Sequence, residues 1–186
     1  MKIRSKNQTW LLALCLGLAP VGCGDGKSIS QLSKQLEDAD AQVRQQAARD
    51  LRDRGLAARK AVPALAKALK DPDVTVRRRA AQALREMGTE AREAVSNLAA
   101  ALKDHDAKVR EIAAAALGTI GPEAREALPA LVMALSDRAP EVRRAAVNAL
   151  GRIGPDAAEV VSALKVALKD PDFQVRSAAV VALRGT

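Results

Sequence analysis

Apolar residues fall along this chain in two alternating arrangements, and both return every 33 residues. The first arrangement spaces them three and four apart: Ile29/Leu32/Leu36, Val62/Leu65/Leu69, Val95/Leu98/Leu102, Leu128/Leu131/Leu135 and Val161/Leu164/Leu168. That spacing lays each set along one face of a helix. The second is a Val, Ala, Ala, Leu stripe: Val76/Ala80/Ala83/Leu84, Val109/Ala113/Ala116/Leu117, Val142/Ala146/Ala149/Leu150 and Val175/Ala179/Ala182/Leu183. Polar turns such as Lys70-Asp71-Pro72-Asp73 and Lys169-Asp170-Pro171-Asp172 join the two. Asp and Pro suit a turn, and an Asp there can accept the free N–H groups of the next helix. Pro63 and Pro129 are expected in the first turn of the first helix, where a missing N–H is tolerated, and Ser30, Ser96 and Ser162 hold the equivalent place. Gly55, Gly88, Gly121 and Gly154 read as left-handed caps ending the second helices.

The register does not slip. Val-Arg pairs stand at Val43-Arg44, Val76-Arg77, Val109-Arg110, Val142-Arg143 and Val175-Arg176, and Asp38, Asp71, Asp104, Asp137 and Asp170 keep the same step. A fixed period of this length marks a solenoid, in which each unit buries its apolar face by stacking on a neighbour. The two ends differ. Asp50 and Arg54 replace the Ala and Met or Ile found at Ala83/Met87 and Ala116/Ile120. They are four apart, can pair on the helix surface, and read as a polar N-terminal cap. Phe173 and Val181 leave the last unit apolar, a face suited to a partner or to a second copy.

Composition narrows the chemistry. Hydrophobic residues are 48% of the chain and aromatics 1%, so the core is built from Ala, Leu, Val and Ile, and small Ala side chains favour close helix packing. Residues 1–22 have the layout of a secretory signal: Lys2, Arg4 and Lys6, then the apolar run Trp10 to Leu18, then small residues. That run is shorter than the ~20 apolar residues of a membrane-spanning helix. Removing the three cations with the leader takes the formal charge from +8 to +5, a mild basic bias rather than the dense stripe of a nucleic-acid binder. Both cysteines, Cys15 and Cys23, lie near the start, so the repeats have no disulfide and no thiolate site. The ending Val21-Gly22-Cys23 resembles a bacterial lipobox, with Pro20 where that family favours Leu. The resemblance implies cleavage before Cys23 and lipidation of its thiol and new amino group, leaving a tether of 23–27 and a repeat domain of 28–186. The address implied is the bacterial cell envelope, anchored to a membrane by lipid; ordinary signal cleavage would instead give a soluble periplasmic or secreted protein.

The pattern Leu-x-x-x-Leu, Lys-Asp, Pro-Asp, Val-Arg-x-x-Ala-Ala-x-Ala-Leu is similar to HEAT repeats of the short PBS-lyase HEAT-like type, over about residues 28–184. The resemblance implies an all-α, right-handed α-solenoid of five helical hairpins, about 28–55, 56–88, 89–121, 122–154 and 155–186. It also implies that the turn Asp and helix Arg of neighbouring repeats form a buried ladder, at Asp38/Arg44, Asp71/Arg77, Asp104/Arg110, Asp137/Arg143 and Asp170/Arg176. It places the Val-Arg helices on a concave, protein-binding surface. Stepping outward from the buried stripe gives Gln45, Arg49 and Arg52; Arg78, Gln82 and Arg85; Glu111, Ala115 and Gly118; Arg144, Asn148 and Gly151; and Ser177, Val181 and Arg184. The basic side chains gather in the first two units, where helices ~10 Å apart could join them in one patch. Arg49, Arg52, Arg78, Arg85 and Arg144 are the candidate donors to an acidic protein partner.

Catalytic constellations are missing. His105 is the only histidine, between Asp104 and Asp106 in a turn, where a lone histidine reads as a turn residue rather than a catalyst, and without a cysteine in the repeats no Cys-His set can form there. No Gly-rich phosphate loop is present, and no cofactor or metal site is read. Deoxyhypusine hydroxylase shares the repeat type, but the His-Glu pairs that hold its iron are absent here. Bilin lyases share it too and act chiefly by positioning, although their substrates are cytoplasmic. Nucleic-acid binding by stacking is disfavoured, because Phe173 is the only aromatic after the leader. The reading is a non-enzymatic interaction scaffold. The alternatives are an accessory or lyase-like chaperone subunit, and an envelope protein that self-associates through its C-terminal face.

Overall fold

A computed structural model describes residues 26–154 and 156–184; the leader and Cys23 lie outside the described residues. Among the described residues, ten α-helices are arranged in five pairs. They are α1 (Ile29–Gln35) and α2 (Ala41–Asp53), α3 (Val62–Ala68) and α4 (Val74–Met87), and α5 (Val95–Ala101) and α6 (Ala107–Ile120). The last two pairs are α7 (Leu128–Ala134) with α8 (Pro140–Ile153), and α9 (Ala158–Ala167) with α10 (Phe173–Leu183). There is no strand among the described residues, and the array is an α-solenoid.

The helix starts arise from local chemistry. Asp40, Asp73, Asp106 and Asp172 each sit at an N-cap in extended backbone, and their carboxylates accept N–H groups of the first turn. Ser28 and Gln31 form a reciprocal capping box at α1. Pro63 and Pro129 occupy the second positions of α3 and α7, and α8 opens on Pro140, whose missing N–H needs no acceptor there.

Gly55 follows α2 with the positive φ expected of a left-handed cap, 51°, but the ends of α4, α6 and α8 depart from that geometry. Gly88 and Gly121 take positive φ, at 55° and 80°, but with ψ of −129° and −144° they leave the left-handed helical well. Gly154 does not take positive φ at all, with φ −156°. In the first three units the second helix does not end in a loop. The chain turns directly into 3-10 segments, Gly55–Ala61, Gly88–Ala94 and Gly121–Ala127, that lead into α3, α5 and α7. Each 3-10 segment buries two alanines, such as Ala91 and Ala94, so it belongs to the packed layer.

The core runs the length of the array. Leu32, Leu65, Leu98, Leu131 and Leu164 from the first helices are fully buried, as are Leu51, Leu84, Leu117 and Leu150 from the second. Each buried leucine contributes about 1.5–3 kcal/mol. Second helices of neighbouring units pack closely, whereas first helices of neighbouring units barely touch. The array therefore bends toward the layer formed by α2, α4, α6, α8 and α10, which becomes its inner, concave face.

Alanine is what permits that approach, and two glycines tighten it further. A β-carbon on Gly118 would stand 3.1 Å from the Ala149 Cα, and one on Gly151 would stand 2.8 Å from the Ala182 Cβ. The sequence pattern places these glycines on the open face. Gly118 is instead buried, and both mark places where α6, α8 and α10 meet backbone to backbone.

Candidate interaction surface

One edge of the array carries a line of arginines and aspartates. Arg44 donates from Nε and Nη2 to the Asp71 carboxylate at 2.7 and 2.9 Å, while its Nη1 donates to the carbonyls of Asp38 and Ala39. Arg77 holds Asp104 in the same way, Arg110 holds Asp137, and Arg143 holds Asp170. Every rung reaches forward by one unit, across 27 residues. Each aspartate also accepts the backbone N–H two residues on, which folds its own turn. These groups are largely shielded from water and fully partnered, and no buried side-chain polar atom among the described residues lacks a partner. The two outer members differ. Asp38 accepts the Asp40 N–H, and Arg176 donates to the carbonyls of Asp170 and Pro171 and lies over the Phe173 ring at 5.8 Å.

The ladder is tuned to stay charged. The guanidiniums of Arg44, Arg77, Arg110 and Arg143 are raised above their usual value, first by the hydrogen bond to the facing carboxylate. Burial opposes ionisation of Asp104 and Asp137, yet the facing arginine and a backbone N–H hold both below the usual carboxylate range. Arg143 holds Asp170 down against burial.

The candidate donors on the concave face are not equivalent. Arg78 is engaged by Asp106 of the next turn through Nε at 2.9 Å and Nη2 at 2.6 Å. That pair is a second, inner rung, and it holds Asp106 at about 2. Gln45 makes the corresponding bond to Asp73, at 3.2 Å, and Arg144 donates to the Gln174 side chain at 2.6 Å. The contacts of Arg52 and Arg85 are looser, each to the acid next to it in sequence: Arg52 to Asp53 at 2.7 Å and Arg85 to Glu86 at 3.0 Å. Arg49 lies 3.9 Å from Asp53 and is exposed. Sequence spacing groups Arg78 with Arg52 and Arg85; the structure ties Arg78 to the neighbouring turn instead.

Two depressions mark the concave side. The first, about 510 Å³, opens where α2 and α4 end and is lined by Arg52, Arg54, Leu56, Gln82 and Arg85, with Asp53 and Glu86 at its margin. Sequence reasoning missed Arg54 and Leu56 as lining residues. It pairs Arg54 with Asp50, but the Asp50 carboxylate accepts from Gln46 at 2.6 Å. The second depression, about 320 Å³, lies over the close approach of α6 and α8 and includes Glu111, Glu141, Arg144 and Asn148. At the C-terminal end, Phe173 and Val181 are 71% and 67% exposed.

His105 stands exposed in its turn. Among the described residues, no group of three or more His, Cys, Asp or Glu is placed to hold a metal ion, and no helix is long and apolar enough to cross a membrane.

Comparison with known proteins agrees with this geometry. The family described as HEAT repeats matches residues 29–118 and again 95–184. No curated protein matches the chain. Among solved structures, a chain from the complex of CpcE and CpcF of phycocyanin lyase from Nostoc sp. PCC7120 is 28% identical, with a TM-score of 0.73 over 92% of this chain and 69% of that one. An engineered protein is 27% identical, with a TM-score of 0.67 over 84% of this chain and 78% of its own. A designed armadillo repeat protein, solved in complex with the peptide (KR)4, shares the fold at 23% identity and a TM-score of 0.69, over 84% of this chain and 81% of its own.

Proposed function

This chain belongs to the HEAT-repeat family, and we propose that it is a non-enzymatic scaffold that binds a protein partner along its concave layer. In this reading the protein is exported and anchored at Cys23, which holds the array near a membrane surface through the short tether of 23–27. One observation carries the binding role. The concave face alternates between arginines fixed in rungs, such as Arg78, and arginines held only by an adjacent exposed acid, such as Arg52 and Arg85. Exposed pairs of the second kind contribute about 0–1 kcal/mol, so a partner's carboxylate can replace them with little loss to the fold. Partner recognition is then shape and charge complementarity, with Arg49, Arg52, Arg85 and Arg144 donating and Arg78 keeping the surface rigid.

The test is site-specific photocrosslinking in the bacterial host. A crosslinker at Gln82 or Asn148, on the concave face, should trap one protein species, and a crosslinker at Ala100, on the first-helix layer, should not. Equal trapping from both layers would overturn the assignment of the face.

The likeness to a chain of the CpcE–CpcF complex favours a second reading, as an accessory or lyase-like chaperone subunit. A pigment absorbance that travels with the purified protein would select it.

A further inference from the structure

The charge of this protein is not spread along the array. Residues 56–88 carry eight Lys and Arg against three Asp and Glu, while each of the other four units is within one charge of neutral. Much of that excess is already committed. Arg77 and Arg78 are in rungs, Arg79 donates to the Gln45 carbonyl at 2.8 Å, and Lys67 pairs with Glu37. Arg85 is different. It meets Arg52 and Arg54 across the depression at the ends of α2 and α4, and the only acids lining it are Asp53 and Glu86 at the margin. Leu56 lines the same depression and is 62% exposed, at the start of a 3-10 segment whose Ala58 and Ala61 are buried.

The arginine column is interrupted after two units and returns only at Arg184. The next positions after Arg52 and Arg85 in the 33-residue step are Gly118 and Gly151, which draw their helices together and offer no side chain. The cationic end of the concave face is therefore bounded on the C-terminal side by backbone.

Resting on the scaffold reading, we propose that this depression is the specificity pocket of the surface, and that its occupant is an extended acidic segment of a partner protein carrying one aliphatic side chain. Arg52 and Arg85 stand on neighbouring helices about 10 Å apart. Carboxylates two residues apart on an extended strand lie about 7 Å apart, a separation that two long arginine side chains can bracket. The partner's carboxylates displace Asp53 and Glu86 from their arginines, Arg54 adds a third donor, and the aliphatic side chain covers Leu56. Because Arg52, Arg54 and Arg85 converge only over units one and two, the segment binds with its acidic stretch at the N-terminal end of the array.

The test uses protein purified from a host expressing the full chain. Fluorescence anisotropy is read with a synthetic decapeptide of alternating Glu and Gly around one Leu, and with its Glu-to-Gln and Leu-to-Ser versions. The Glu/Leu peptide should bind best, and its affinity should fall as salt screens the charges. The double variant Arg52→Gln/Arg85→Gln should lose about tenfold in affinity, the modest loss expected of two exposed charge contacts. Leu56→Ser should erase the preference for the Leu peptide alone, and Arg92→Gln, at an exposed position of the 3-10 segment before α5, should leave binding within about twofold. Equal affinity for all three peptides, or no loss in the double variant, would overturn the pocket. Binding to phosphatidylglycerol vesicles that is lost in the double variant, without peptide binding, would overturn it in favour of a lipid headgroup. Crosslinking confined to the concave layer would survive either failure, so the pocket and the scaffold role fail separately.

Discussion

Arg110 and Asp137 are joined by two parallel hydrogen bonds, at 2.6 and 2.8 Å, between side chains that are 7% and 11% exposed. The same arginine also satisfies the carbonyls of Asp104 and His105 in its own turn. Removing it leaves a shielded carboxylate with only the Ala139 N–H as donor and takes the arginine donor from two carbonyls at once. Arg110→Met is expected to cost about 3 kcal/mol in urea unfolding, because breaking a buried pair strands the remaining charge. Arg176→Met should cost under ~1 kcal/mol, since no carboxylate among the described residues forms a rung with Arg176 and its cation–π contact is with the exposed Phe173. Equal losses in the two variants would show that the turn carbonyls, not the rung, carry the stability.

Acid should weaken the array in a defined window. Arg78 first, and then the Val109 N–H, hold Asp106 at about 2 against the effect of burial, and Asp104, Asp137 and Asp170 are also lowered. A carboxyl whose folded value lies below its unfolded value of ~4 binds fewer protons in the folded state. Its contribution is complete above about pH 4 and is lost as pH falls toward 2. Melting temperature followed by circular dichroism should be flat from about pH 5 to 8 and should drop between about pH 4 and 2. Asp106→Asn, which retains a capping side chain, should flatten part of that drop.

Arg78 and Arg85 should respond differently to the same substitution. Arg78→Glu sets a carboxylate against Asp106, and like charges in place of a bidentate pair are expected to destabilise the array by about 1–2 kcal/mol. Arg85→Glu faces solvent and Glu86, and its thermal melt should stay within about 0.5 kcal/mol of the parent. Parallel losses would contradict the division into fixed and available arginines.

Gly118 is a packing residue. Gly118→Val would force a branched side chain into the Ala149 backbone, and overpacking of this kind costs about 1–3 kcal/mol. The gain in helix propensity over glycine offsets only a few tenths of that. The expected outcome is a lower melting temperature together with a changed radius of gyration in small-angle scattering, because α6 and α8 must separate. A stabilised variant would refute the close approach.

The export proposal has its own check. Mass spectrometry of the mature protein from a bacterial host should find a chain that begins at Cys23 and carries diacylglyceryl and acyl groups. An unmodified terminus near residue 23 would replace the anchor with a soluble exported form, and an intact Met1 would reject export.

The legible parts of this molecule are those written once per unit. Val76, Ala80, Ala83 and Leu84 recur in step, so their common buried face can be read directly, and all four are fully buried. The opening prolines and the capping aspartates are legible for the same reason: one residue, acting on its own turn, fixes each. The rest depends on what sits opposite. Arg78 and Arg85 look alike in sequence, and only the length of a guanidinium reaching Asp106 across 28 residues separates them. Gly118 and Gly151 fall where exposed residues fall in earlier units; the helix spacing that crowds them is set by Ala149 and Ala182 on the next unit. The 3-10 segments are hidden because residues such as Gly88-Thr89-Glu90 read as a cap and then a loop.

The forward reach of the ladder bears on how such a gene can grow. Each 33-residue segment encodes one acceptor for the unit before it and one donor for the unit after it. A tandem duplication of that segment, cut at any point, therefore yields two matched joints and no orphaned charge. The joint is indifferent to how many copies stand on either side. Length can be revised by whole-segment copying, while the single-copy features, such as the arginines over units one and two, diverge to give each length its own address.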